Sequence, residues 1–366
     1  MHVRVLFEFV TKHRPDIVKK LYFYIPADTA NAVKAGLTED AARLFGSRII
    51  DAPPETGWRS LKGVLSAVRS VKANHLLLLE IDSFIYSIAF RGFPVSVSGV
   101  WFRASYHYGA AIMYEGWRQQ ATGLLKRLTA RILCSRHSVS QLFAFDPWAV
   151  EYAATRFKTG KVKYIPDPYA FAAISRGRSD PTNNNRMVFV IVGVIGRRKG
   201  ILSVLGALHL ISPRDQRRIE LRIIGRVVET QRGIISSALD RARRETLVTI
   251  EQVDKFVSDE AIDAAIIDSD VLLLPYQRFA GSSGVLIRAA LYGKPVLATK
   301  YGLIGALVNR HKLGLTLDPY DEKSIAEALS EVLASGGLAL DKESASHFAA
   351  AHVPDRYAET LCGLIT

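Results

Sequence analysis

"RMVFVIVGVIGRRKGILSVLGALHLI", Arg186 to Ile211, sets an unbroken apolar run against a glycine-punctuated turn and then an apolar segment at helical spacing. A run of that kind, closed by glycine, fits a strand buried on both faces, and the segment beyond it fits a helix opening at about Lys199. Strand, tight loop and helix make one βα unit. The residues that follow repeat it. "RIELRIIG" reads as a strand ending in glycine, "SSALDRARRE" and "DEAIDAAIIDS" as helices, and "DVLLLPY" as a strand. "SGVLIRAALYG" then reads as a helix, "KPVLAT" and "GLTLD" as strands, and "DEKSIAEALSEVLA" as a helix. Alternation of this sort predicts a parallel sheet with helices on both faces.

Upstream the alternation is looser. "HVRVLFEFV" is a strand candidate, "RPDIVKKLYFYI" begins a helix, and "WRSLKGVLSAVRSV" has helical spacing. "HLLLLEI", "FPVSVSGVWF" and "KVKYIPDP" read as strands, and "WRQQATGLLKRLTARIL" as a helix. The polar stretch "SRGRSDPTNNNR", Ser175–Arg186, lacks apolar periodicity and reads as a linker. A chain of 366 residues with 49% hydrophobic and 23% charged residues has material for two cores. The expected division is a first Rossmann-like domain over 1–170, a linker over 171–186, a second over 187–345, and a helical tail over 346–366 that packs back on the first.

Two cysteines, Cys134 and Cys362, are too few for a disulfide framework and lack metal-ligand spacing. No stretch approaches the ~18 apolar residues of a membrane span, and the first residues do not pattern as a signal peptide. A cytoplasmic chain is the expectation, with peripheral contact at the cytoplasmic face of a membrane as its extension. The net charge of +13 is uneven: up to Asp167 there are 23 Lys/Arg against 13 Asp/Glu, or +10, and the remainder carries +3. Such a half suits an anionic partner as well as it suits plain solubility. Nucleic acid is set aside, because basic-aromatic interleaving and any recognisable module are missing. In "WRQQATGLLKRLTARILCSRH", Trp117, Leu124, Leu125, Leu128 and Ile132 recur at roughly helical spacing, with Lys126, Arg127, Arg131 and Arg136 between them. A core helix with a solvated basic face is the plainer reading of that pattern; a segment resting on an anionic membrane is the other.

Two loops have the chemistry to hold phosphate. In "VGVIGRRKG", Gly193 and Gly196 let backbone approach an anion, while Arg197, Arg198 and Lys199 supply charge beside a helix start. The spacing is neither G-x-G-x-x-G nor a Walker loop, which argues against a dehydrogenase or a nucleotide triphosphatase. After "DVLLLPY", the run "QRFAGSSG" places Gly281, Ser282 and Ser283 at the start of the next helix, either serine being a fit cap.

The order of these motifs resembles the retaining glycosyltransferases of family 4, which have GT-B architecture: two Rossmann-like α/β domains whose parallel sheets face each other across a cleft. The resemblance covers about Met187 to Leu333 best. Against the family's "G-R-L-x-x-x-K-G", Gly193, Lys199 and Gly200 fit, with Val194 at the arginine position. Lys199 is thereby implied as a diphosphate ligand, with Arg197 or Arg198 supplying the second cation. "VTIEQVDKFVSDEAI" is similar to the segment carrying the nucleobase pocket, which puts Phe256 and Val257 beside the base. The family's Glu-x7-Glu motif falls on Ala280 and Arg288, ahead of a matching Gly293-Lys294-Pro295-Val296. Both acids are replaced, which bears on sugar and ribose recognition and makes Arg288 a donor-site residue of altered chemistry. In the first half, "VLFEFVTKHRPDIVKKL" resembles the family's first strand, donor loop and helix, with His13 in the loop. "EIDSF" and "GVWFRASYHYG" resemble strand ends facing the cleft, offering Asp82, Arg103 and His107 for sugar or acceptor. The family's first-domain histidine near the donor sugar is matched by either histidine, the glycine-flanked setting favouring His107. The implied activity is hexosyl transfer from a UDP- or GDP-linked sugar to an acceptor hydroxyl, lipid-linked or otherwise, with retention and without metal or other cofactor. Such transfer serves polysaccharide, glycolipid or other glycoconjugate synthesis. The alternative is a non-catalytic nucleotide- or sugar-binding protein on the same fold.

Overall fold

The computed structural model describes residues 2–52, 61–108, 117–169 and 186–363; for 117–122 only the backbone is described. The chain divides into two compact units. Among the described residues the first takes in those up to Pro168 and those from His352, and the second is Tyr169–Ala351. The proposed linker falls almost wholly outside the described residues.

The first unit opens with helices α1 (His2–His13) and α2 (Pro15–Val18), strand β1 (Phe23–Ile25), helices α3 (Ala27–Lys34) and α4 (Glu39–Gly46), and strand β2 (Ile49–Asp51). It continues through α5 (Leu61–Ser70), β3 (His75–Leu78), α6 (Ile85–Arg91), β4 (Ser96–Trp101) and α7 (Trp117–Ser135). Strand β5 (Val139–Ala144), α8 (Pro147–Arg156) and β6 (Val162–Tyr164) close this stretch. Strands β3, β4, β5 and β6 pair in that order as a parallel sheet, and β1 and β2 form a separate parallel pair.

The expected first strand is a helix. "HVRVLFEFV" lies within α1, with Leu6, Phe7 and Val10 buried and Arg4 paired to Glu8 at 2.9 Å on the exposed side. Strand-like alternation at Val3, Val5 and Phe7 masked this, but a cation and an acid four residues apart mark one helical face. His13 therefore closes α1, exposed and packed on the Phe9 ring at 4.7 Å between centroids; it does not sit on a strand-to-helix loop. The core reading of α7 holds only for part of it. Thr129, Ala130, Leu133 and Cys134 are buried, whereas Leu124, Leu125 and Leu128 are 64%, 47% and 54% exposed.

The second unit runs β7 (Met187–Val192), α9 (Ile201–Leu208), α10 (Pro213–Gln216), β8 (Ile219–Ile224), α11 (Arg232–Glu245) and β9 (Thr249–Val253). It proceeds through α12 (Asp259–Ile267), β10 (Val271–Leu274), α13 (Gly284–Leu291), β11 (Val296–Thr299) and α14 (Gly302–His311). Strand β12 (Gly314–Leu317), α15 (Glu322–Ala334) and α16 (Lys342–Ala351) complete it. The last helix, α17 (Pro354–Cys362), returns to the first unit and packs on α1, its Tyr357, Ala358, Leu361 and Cys362 entering the same core as Phe7 and Phe45.

All six strands of the second unit are parallel, in the order β12-β11-β10-β7-β8-β9. Counted from β7 this is the 3-2-1-4-5-6 order of the doubly wound fold, and the order reverses between β7 and β10. Phe189, Ile191, Leu221, Ile223, Val271 and Leu273 share one buried cluster with α9, α11 and α15, each such side chain contributing about 1.5–3 kcal/mol on burial. The switch point fixes where a ligand can enter. It is the crevice beyond the carboxyl ends of β7 and β10.

Candidate functional site

The two loops singled out as phosphate holders leave these two strands. After β7 the chain passes Gly193 and Val194 and makes one 3-10 turn, Arg197–Lys199, before α9. Gly200 joins turn to helix at φ +71°, and a Cβ there would lie 2.1 Å from the Pro275 carbonyl oxygen. Only glycine satisfies both conditions, so the start of α9 is seated directly against the loop after β10. The Gln277 amide donates to the Arg198 carbonyl at 2.9 Å, and the Gln277 side chain donates to Ser203 Oγ at 2.8 Å. The two loops thus form one body.

Lys199 is 5% exposed. Its ammonium donates to the Tyr276 hydroxyl and lies 4.4 Å from that ring's centroid, and a Cβ on Gly193 would stand 3.4 Å from Nζ. Among the described residues no carboxylate comes within ion-pairing distance of it. A nearly buried cation is normally neutralised by an acid, and here the aromatic face and one hydroxyl stand in. Arg198 lies over Phe279, 4.7 Å from its centroid, and the Arg197 amide donates to Gln231 Oε1 at 2.7 Å, beside Gly196.

Ser283 caps α13, its Oγ accepting from the Leu286 amide at 3.4 Å, with Gly281 buried and Ser282 half-buried before it. The start of α14 abuts the same loop. Gly302, at φ +65°, lies so close that a Cβ would stand 2.9 Å from the Phe279 carbonyl oxygen. The starts of α9, α13 and α14 therefore gather around residues 275–283, where unpaired N–H groups and positive dipole ends favour an anion. At the same edge of the sheet, Val194 is 61% exposed on the loop after β7 and Phe256 84% exposed on the loop after β9. Phe256 is thus free surface and not core, as a ring offered to a planar ligand must be; Val257 beside it is half-buried.

Arg288 is 4% exposed and faces α12. Its guanidinium lies 3.1 Å from Asp263, also pairs with Asp259, and stacks over the Tyr169 ring at 4.6 Å. Burial lowers the guanidinium to about 10, and burial together with the neighbouring carboxylates of Asp259 and Glu260 raises Asp263 to about 6. Ala280, at the other substituted position, is 6% exposed.

In the first unit, Asp82 follows β3 and Arg103 follows β4. The Asp82 carboxylate accepts from the amides of Phe102 at 2.9 Å and Arg103 at 3.0 Å, with the Arg103 Nε at 3.6 Å; burial raises its carboxyl above the usual range. His107 is buried, its Nε2 3.2 Å from Asp146 Oδ2 and its ring 3.9 Å from that of Tyr108. Asp146 caps α8 by accepting from the Trp148 and Ala149 amides and also accepts from the Tyr108 hydroxyl at 2.6 Å. So Asp82 and Arg103 come together, His107 joins Asp146, and His13 ends α1 against Phe9.

Several residues of these arrangements were not singled out in the sequence, among them Tyr276, Gln231, Asp263, Tyr108 and Asp146. Asp146 had a signal, since "DPW" after an apolar run is an N-cap followed by proline at the first helical position. Tyr276 had a weaker one, an aromatic directly after a fully apolar strand and its proline.

Residues 177–349, a little under half of the chain, match the family model described as glycosyl transferases group 1. Sucrose-phosphate synthase from Thermosynechococcus elongatus superposes with a TM-score of 0.61 at 18% identity, covering 87% of this chain and 82% of that one. The fold is GT-B. The Anabaena protein HepE, solved in complex with UDP, aligns with a TM-score of 0.56 at 14% identity over 90% of this chain and 88% of that one. A stretch of 57 residues is 51% identical to sucrose-phosphate synthase from Spinacia oleracea; it is 14% of this chain and 5% of that relative. Among the described residues no helix of this GT-B chain is long and apolar enough to cross a membrane.

Proposed function

We propose that this chain transfers a sugar from a UDP- or GDP-linked donor to an acceptor hydroxyl with retention of configuration. The observation that carries the reading is Lys199: a nearly buried ammonium at a topological switch point, beside three helix starts, with no acid to neutralise it among the described residues. A diphosphate is the partner such a site lacks. Arg197 or Arg198 adds the second positive charge, the Gly281–Ser283 turn supplies amide and hydroxyl donors, and Phe256 with Val257 offers a face to the base. HepE bound to UDP, and to UDP with glucose, supports the donor class.

In the reaction the bond from the anomeric carbon to the diphosphate oxygen breaks as the acceptor oxygen bonds to that carbon from the same face. The acceptor proton passes to the leaving phosphate oxygen. Negative charge grows on the diphosphate at that moment, and fixed cations and helix starts stabilise it without reorganising. Side chains, and no metal, do this neutralising in the proposal. The first unit brings Asp82, Arg103 and His107 as candidates for the sugar or acceptor, and glycoconjugate synthesis is the process proposed. Turnover of UDP- and GDP-sugars by Lys199→Ala tests the reading: a loss of about 10²–10³-fold with the fold intact is expected, and near wild-type turnover overturns it.

A second reading, binding without transfer, rests on Ala280 and Arg288, which leave no carboxylate at either motif position. Tight UDP or GDP binding without release of nucleotide across a panel of sugars and acceptors would favour it.

A further inference from the structure

The first unit carries a second basic site, remote from its strand ends. Helices α6 and α7 pack side by side and end together, the Arg136 guanidinium donating to the Ala89 carbonyl at 2.6 Å and the Phe90 carbonyl at 3.1 Å. Where they end, before β4 and β5 begin, a cleft of about 620 Å³ opens. Arg69, Arg91, Arg136 and His137 line it together with Phe93, and no carboxylate is among its lining residues. Arg69 and Arg91 are exposed, and neither side chain has an ion-pair or hydrogen-bond partner among the described residues. Asp82, Arg103 and Asp146 lie at the carboxyl edge of the same sheet, so this cleft, at the amino edge, is a different place.

The helices leading to the cleft present apolar surface. Tyr86 and Phe90, one turn apart on α6, are 51% and 50% exposed, and Leu124, Leu125 and Leu128 on α7 are more than two-fifths exposed. Single exposed apolar residues are ordinary, but five on two adjacent helices that end at an arginine-lined cleft are not. Between Asp82 and Asp146 the sequence holds seven Lys/Arg and one acid, Glu115. Apolar side chains set among cations match the headgroup boundary of an anionic bilayer, where rings and leucines enter the acyl edge and arginines meet phosphate.

We propose that α6 and α7 dock this chain on an anionic phospholipid surface, with the cleft at Arg69 and Arg91 receiving a headgroup phosphate. The docking names a partner for the transfer reading, a bilayer that would present its acceptor, but its grounds are exposure and charge, and its test requires no turnover.

Full-length protein is sedimented with phosphatidylcholine vesicles, with and without about 30% phosphatidylglycerol. Binding only to the anionic vesicles, weakened as salt rises to about 0.5 M, is expected. The double variant R69A/R91A should partition about 30-fold more weakly. F90S/L125S should lose the part of the binding that survives high salt. Unchanged melting and UDP binding keep both variants interpretable as folded. Wild type that ignores anionic vesicles, or variants that sediment as wild type does, overturn the proposal.

Discussion

Lys199 and Arg288 are equally buried cations of one domain, and they are treated in opposite ways. Arg288 is held by two carboxylates of α12 and a tyrosine ring. Lys199 is held by one tyrosine and meets no acid among the described residues. A paired buried charge is a strut. An unpaired one, kept in place by a hydroxyl and a π face, is the kind of charge that the donor diphosphate would neutralise in the proposed reaction. Arg288 therefore has its charge committed to acids of its own domain, while Lys199 has no such acid among the described residues.

Four measurements would break or sharpen that contrast. The largest effect is expected from Arg288→Ala, which leaves Asp263 buried and uncompensated and should lower stability by about 3–5 kcal/mol in urea unfolding. Pairing it as Arg288→Met with Asp263→Asn should recover most of the loss. If Arg288→Ala instead keeps stability and abolishes UDP binding, the strut reading fails. For Lys199→Ala the signs reverse: turnover falls about 10²–10³-fold while the melting temperature holds or rises, because an unpaired buried charge has gone. Tyr276→Phe retains the ring and removes the hydroxyl, so donor turnover should drop only about tenfold. A drop as deep as that of Lys199→Ala would mean the hydroxyl, and not the ammonium, meets the substrate.

The smallest effect concerns a half-buried base, His2, packed among Phe102, Phe145 and Tyr357 and without an acid partner among the described residues. Burial lowers it from 6.5 to about 4. The unfolded chain therefore binds the proton first on acidification, and stability, full above pH 6.5, declines toward pH 4. About 1 kcal/mol should be gone by about pH 5.5, and His2→Phe should flatten that slope.

The second unit was legible because β7, β8, β10 and β11 are covered on both faces, so their apolar runs have no other use. The switch point followed from the same strands, and with it the two loops. What could not be read was partnership. Arg288 looked like a ligand group because nothing in the chain says that Asp259 and Asp263, on the preceding helix, turn toward it. Tyr276 went unnoticed because its role exists only once Gly200 seats one loop against the other. The first residues were misread because a helix with apolar residues on more than one side alternates much as a strand does, and the Arg4–Glu8 spacing was the better guide.

The return of α17 to the first unit sets an order of events during synthesis. Tyr357, fully buried, and Leu361 belong to the core that holds Phe7 and Phe45. That core cannot close until α17 has been made. Among the described residues the second unit lies within Tyr169–Ala351 and so precedes α17 in the chain. It is thus free to fold before the core of the first unit, which must wait, part of its apolar surface uncovered, for α17 to be synthesised.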